Sequence, residues 1–223
     1  MYKTGTCHLG RDCLIQIIRH FQISEMYIPY YLCDVIRHTL VKEKCKPLFY
    51  HINDDFSPSL KLNSDKFILY PNYFGICKKN ITKLLKIYPK LIIDNAHSYF
   101  DEPRGIAFFN AGHKFGYQTS TFGIKENGQE FQNFLYDEAR KTLYKEKFSA
   151  LHKKYLCINK LTIPNDAISF VYPLLCESEN MADDIVKQLK KDGKTVYRYW
   201  NPLPKSFNEY KFYSKLVPIF VLP

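Results

Sequence analysis

Two residues stand out for the chemistry their order permits. Asp94 closes a short apolar run, Leu91-Ile92-Ile93, bounded by Pro89 and Asn95, and Lys114 follows a second run, Ile106-Ala107-Phe108-Phe109. Runs this short between breakers read as buried strands. A carboxylate and an amine at the carboxyl ends of neighbouring strands fall where open α/β sheets bind ligands. A carboxylate can hold a heteroaromatic ring nitrogen protonated, and a lysine amine can form a Schiff base with an aldehyde. Pyridoxal phosphate requires that pair. Each residue alone has a plainer reading. An Asp at a strand end is usually a turn former or helix cap, and a Lys after a strand is usually a solvated surface group.

Taken in order, Asp94-Asn95-Ala96-His97 and the later Lys114 resemble the D-x-x-H/Q … K pattern of DegT/DnrJ-type pyridoxal-phosphate aminotransferases of fold type I. The resemblance implies that Asp94 pairs with the pyridine nitrogen and that His97 sits near the phenolic oxygen. Lys114 would carry the Schiff base and, once freed, act as general base. Upstream, Leu9-Gly10-Arg11-Asp12-Cys13-Leu14 is similar to the family's small-Gly-R/T-x-A-L segment, with Cys13 where Ala is usual. That match places the cofactor phosphate on the backbone of Gly10 and Arg11. The position that usually carries an aromatic stacked on the cofactor ring falls on Cys33, with Tyr31 two residues earlier as a possible substitute. Asn110 stands where the family often has a Ser touching the phosphate. His113 is given no role.

These residues must be positioned by the elements around them. Leu14, Ile17, Ile18 and Phe21 share one helical face, which predicts a helix starting near Arg11. A glycine just before a helix lets backbone N–H groups approach an anion. Met26-Tyr27-Ile28 reads as a strand, Tyr30 to about Lys44 as a helix, and Pro47 to Ile52 as the next strand. Lys66 to Tyr70 is again a strand, and Ile81, Leu84, Leu85 and Tyr88 make a helix face. Such alternation predicts a mostly parallel α/β sheet flanked by helices, with function at the strand ends. Beyond Lys114 the expectations are a returning antiparallel strand and one long or broken helix from Gln129 to Leu156, with Ala139, Leu143, Phe148 and Leu151 on its apolar stripe. A strand from Ile168 to Leu175, a helix from Glu179 to Lys191 closed by Gly193, and a strand from Thr195 to Tyr199 follow. In the resembled fold this division corresponds to a large cofactor-binding domain over residues 1–127 and a reduced α+β small domain over 128–223. The segments Trp200-Asn201-Pro202-Leu203-Pro204 and Lys215 to Pro223 resemble that small domain's W-x-P-L-P … L-P pattern.

Composition bounds the rest. Aromatic residues make up 16% of 223, so a core can be buried. Net charge is +10, but the excess is dispersed lysine without a block of like charge or an Arg-aromatic cluster, which leaves nucleic-acid binding with charge as its only support. The seven cysteines are scattered, with no C-x-x-C pair, which fits reduced thiols and argues against a disulfide framework or zinc site. No apolar run approaches a membrane span, and the first residues lack the apolar core of a signal peptide, so a cytoplasmic location without membrane insertion is expected.

The resemblance further implies an aminotransferase with two small-molecule substrates, moving an amino group from glutamate to a nucleotide-linked keto-sugar in surface polysaccharide synthesis, and acting as a homodimer. Members of the family are usually longer than this chain. A degenerate or regulatory non-catalytic protein of the same fold is therefore the alternative.

Overall fold

The computed structural model describes residues 3–101, 104–109, 120–124, 137–200 and 202–222. Asn110 and Lys114 lie outside the described residues. Among the described residues the architecture is a seven-stranded sheet of order β1-β7-β6-β5-β4-β2-β3 and a two-stranded sheet, β8-β9. The strands of the large sheet are β1 (Lys3–Cys7), β2 (Glu25–Pro29), β3 (Lys46–Tyr50), β4 (Phe67–Pro71), β5 (Leu91–Asp94), β6 (Ile106–Phe109) and β7 (Ser120–Ile124). Those of the small sheet are β8 (Val171–Leu175) and β9 (Leu216–Phe220). The helices are α1 (Gly10–Phe21), α2 (Asp34–Lys42), α3 (Lys78–Leu85), α4 (Glu138–Tyr155), α5 (Glu179–Lys191) and α6 (Tyr210–Ser214). Strands β6, β5, β4, β2 and β3 pair in parallel, and β7 returns antiparallel to β6. The expected α/β class with a mostly parallel sheet is the observed one.

Strand β5 lies between β4 and β6 and is buried throughout. Its residues alternate between two apolar clusters. Ile92 joins Leu69 and Phe108 against α1, whereas Leu91 and Ile93 join Ile68, Tyr70, Ala107 and Phe109 beneath the C-terminal elements. Helix α1 contributes Cys13, Leu14, Ile17 and Ile18, all buried, and covering each aliphatic side chain contributes on the order of 2 kcal/mol. At its start the Asp12 carboxylate turns back to accept the Leu9 N–H at 3.1 Å. At its end Gln22 enters the left-handed region at φ 52°. The second apolar cluster runs without a break from Tyr31 to Val221, so the C-terminal elements share one core with the sheet.

Four expectations change. Residues 3–7 form β1, laid antiparallel on β7. The sequence Lys-Thr-Gly-Thr-Cys has no apolar alternation to announce it. Helix α2 begins at Asp34, leaving Tyr31 in the turn before it. Thr195 to Tyr199 adds no strand: Arg198 donates to the Leu216 carbonyl at 3.2 Å and the Tyr199 carbonyl accepts from Tyr31 at 3.1 Å, so the segment crosses toward the large sheet instead of extending β8-β9. In α4 the buried positions are Tyr144, Phe148 and Tyr155, while Leu143, expected in the apolar stripe, is exposed. By contrast α5 has the expected bounds, capped by the Ser178 hydroxyl accepting from the Met181 N–H at 3.2 Å and stopped at Gly193, whose φ of +74° suits glycine.

Candidate functional site

Alternation along β5 puts Asp94 on the same sheet face as Ile92, the face that α1 covers. The amino end of α1 lies at that end of the sheet. The result is a cavity of about 450 Å³ lined by Gly10 and Arg11 from α1, Cys33 and Asp34 from the start of α2, Asn72, Asp94, Ala96 and His97 from the strand ends, and Tyr197 to Trp200 from the C-terminal segment. That volume suits a small ligand.

Asp94 is 8% exposed. Its Oδ1 accepts the Ala96 N–H at 2.9 Å, and among the described residues it forms no ion pair. Burial pushes its carboxyl up from 3.8 to about 7, with the Ala96 hydrogen bond pulling the other way. A carboxylate in this state is short of a positive partner. Its backbone is fixed on both sides, because the Asp94 carbonyl accepts the Asn72 N–H at 2.9 Å and the Asn95 N–H reaches the Phe108 carbonyl at 2.8 Å.

Behind the strand ends lies a polar network. Asn72 Nδ2 donates to Asn95 Oδ1 at 3.0 Å and to Asp101 Oδ2 at 2.7 Å. Ser98 Oγ donates to the same Asp101 oxygen at 2.6 Å, and Lys78 Nζ stands 2.9 Å from the other. Asn72 Oδ1 accepts the Cys77 N–H at 3.1 Å. All these side chains except Lys78 are buried or backbone-bound, and they pin the turn of residues 94–101 to the loop after β4. Sequence reasoning gave Asn72 and Asp101 no role. The signal was present in Ser98-x-x-Asp101, a side-chain-to-turn spacing.

His97 lines the cavity among aromatic rings. Trp200 stacks at 5.6 Å and 24°, Phe74 lies at 5.1 Å and Phe170 meets it edge-on at 5.2 Å. Its Nδ1 accepts the backbone N–H of Phe74 at 3.1 Å.

At the other end of the cavity, the first turn of α1 uses the Asp12 and Cys13 N–H groups on the Leu9 carbonyl. Among the described residues the N–H groups of Gly10 and Arg11 remain for an anion, favoured there by the helix dipole. Cys33 caps α2 and lines the cavity. Tyr31 does not line it and cannot stack on a ligand there. Its ring is 1% exposed in the core, stacked at 5.8 Å on Tyr73, with its hydroxyl spent on the Tyr199 carbonyl. The aromatic wall is instead Tyr197 and Tyr199, read in the sequence as part of a strand, and Trp200. Asp94, His97, Gly10, Arg11 and Cys33 thus meet in one cavity, Tyr31 stands apart, and the expected roles of Asn110 and Lys114 fall outside the described residues. Among the described residues no cluster of His, Cys, Asp and Glu could hold a metal ion.

No family model matches the chain, and no curated protein matches its sequence. Solved structures do match. A Streptococcus pneumoniae protein assigned as a sugar aminotransferase, in its PMP form, superposes with a TM-score of 0.72 at 12% identity, over 98% of this chain and 81% of that one. A DegT DnrJ EryC1 StrS aminotransferase from Brucella abortus gives 0.68 at 12% identity, over 97% and 80%. PseC of Helicobacter pylori, an aminotransferase involved in pseudoaminic acid biosynthesis, gives 0.66 at 14%, over 97% and 80%. The chain has the aminotransferase fold. Identities this low establish the fold, and the reaction has to be argued from the site.

Proposed function

We propose that this protein is a pyridoxal-phosphate-dependent aminotransferase. The observation that carries the reading is Asp94, a buried carboxylate at a strand end, facing a cavity and lacking a cation among the described residues. The residues present fit the cofactor. Asp94 would hold a protonated ring nitrogen, which supplies the positive charge its burial lacks. The Gly10 and Arg11 amides would take the phosphate, and His97 would lie beside the phenolic oxygen. When bound, the cofactor supplies an electron sink for the bond broken at the substrate amine.

The chain's own groups do the rest. Asp94, held by the Ala96 and Asn72 contacts, keeps its charge in place and its geometry fixed. The aromatic wall of Tyr197, Tyr199 and Trp200 excludes water on one side. Lys114 is proposed to carry the cofactor covalently and to move the substrate proton. Glutamate is the proposed amino donor and a nucleotide-linked keto-sugar for surface polysaccharide the proposed acceptor. This reading is supported by the sequence resemblance and by the similarity in fold to sugar aminotransferases. A homodimer working in the cytoplasm belongs to the same reading. Among the described residues no helix is long and apolar enough to cross a membrane.

The test is to purify the protein with pyridoxal phosphate, record its visible absorbance, reduce with borohydride and map the modified lysine by mass spectrometry. The expected result is a chromophore whose adduct maps to Lys114, followed by amine transfer from glutamate. No chromophore, or label scattered over surface lysines, overturns the cofactor reading. A chromophore without amine transfer makes the protein a non-catalytic relative of the same fold.

A further inference from the structure

His97 sits among the rings of Trp200, Phe74 and Phe170, and its polar groups are the two ring nitrogens. One is committed. Nδ1 accepts the Phe74 backbone N–H at 3.1 Å, and a nitrogen that accepts cannot carry the ring proton.

The donor is held with unusual backbone geometry. Phe74 sits at φ 54°, ψ 17°, in the left-handed region, which a bulky residue adopts only under strain. Gly75 follows at φ +70°, and a Cβ there would lie 2.9 Å from the Ile168 carbonyl oxygen and 3.0 Å from Ser98 Oγ. No larger side chain fits that approach. The turn is held from below, with the Asn72 carbonyl accepting the Gly75 N–H at 3.1 Å and the Tyr73 carbonyl accepting the Ile76 N–H at 3.0 Å. A strained turn that aims one N–H at one ring nitrogen of a cavity-lining histidine is a positioning device.

We infer that the Phe74–Gly75 turn sets the tautomer of His97, fixing it as the neutral Nε2–H form, so that the ring meets an oxyanion as a hydrogen-bond donor. With the proton on Nδ1 instead, Nε2 would offer a lone pair to the same oxygen and repel it. Phe74 and Gly75 act through His97 and touch no reacting atom in this role. The use of that donor toward a cofactor oxygen rests on the proposed function above, but the tautomer itself belongs to the protein without ligand.

The test is ¹⁵N NMR of histidine-labelled protein without cofactor at pH 7.5, with His97 assigned by its loss in His97→Gln. The expected spectrum has Nε2 in the pyrrole-type range and Nδ1 in the pyridine-type range, without averaging. A proton on Nδ1, an imidazolium, or two averaged nitrogens overturns the inference. Phe74→Gly keeps the N–H, relieves the strain and removes the ring, so the tautomer is expected to persist. Its loss in a variant that circular dichroism shows to be folded would assign the effect to the aromatic contact and overturn the role of the amide. Failure of the borohydride experiment with the tautomer intact would remove the cofactor reading and leave this inference standing.

Discussion

Replacing Asp94 by Asn tests the site without reference to catalysis. Burial holds the Asp94 carboxyl at about 7 in the folded chain, against an ordinary value of 3.8. At 1.36 kcal/mol per unit, a displacement of this size corresponds to about 4 kcal/mol. The folded state binds this proton more tightly than the unfolded chain does. The stability it contributes is therefore complete below pH 3.8 and is lost as pH rises through the folded value. Asn bears no charge and keeps an Oδ1 for the Ala96 N–H. Without cofactor, Asp94→Asn should be more stable than the parent protein by about 4 kcal/mol at pH 8, and by less than about 2 kcal/mol at pH 5. Urea titrations at a series of pH values read both numbers. Saturating pyridoxal phosphate should stabilise the parent protein and leave the variant nearly unmoved. A stability difference that does not change with pH, or a parent protein as stable as the variant at pH 8, refutes the claim that this carboxylate is buried without a counter-charge among the described residues.

Other consequences can be measured directly. Lys114→Ala should lose the borohydride-fixed adduct while its melting temperature without cofactor stays close to that of the parent. Asp101→Ala removes the acceptor of Asn72 and Ser98 and one of the two carboxylates paired with Lys78, and should cost about 3 kcal/mol by chemical denaturation. Gly75→Ala meets both a left-handed backbone and the Ile168 carbonyl, and a loss of about 3 kcal/mol is expected from denaturation curves. Glu209 is wholly buried and accepts the Ile52 N–H at 2.7 Å and His51 Nδ1 at 3.1 Å. Glu209→Ala should cost about 2 kcal/mol or more and speed proteolysis of the C-terminal segment.

Much of this was readable in the residues. Leu91-Ile92-Ile93-Asp94 lies between breakers and is buried on both faces, so its pattern could only be a central strand. The α1 face and the Gly193 stop of α5 were explicit for the same reason: their signals are local. What escaped was settled by distant partners. Lys3–Cys7 is a strand because Ser120–Ile124 lies beside it. Tyr197-Arg198-Tyr199 alternates like a strand, yet its hydrogen bonds go to Tyr31, Asp183 and Leu216. Tyr31 itself illustrates the limit, since nothing in its neighbourhood says whether a tyrosine before a helix points into a cavity or into the core. Periodicity reads which face is apolar. It does not read which of two apolar environments a ring enters.

The wall of Tyr197 to Trp200 also bears on how the chain is made. Translation delivers the large sheet first, and folding during synthesis proceeds from the N-terminal side. The Tyr31 hydroxyl then has to wait for a carbonyl 168 positions further along. Until that segment arrives, the rings of Tyr31, Tyr73 and Phe74 have no cover from Tyr199, Trp200 or Phe212. A nascent chain of this protein therefore carries an open aromatic floor through most of its synthesis, and it is in that interval that a chaperone has the most surface to protect.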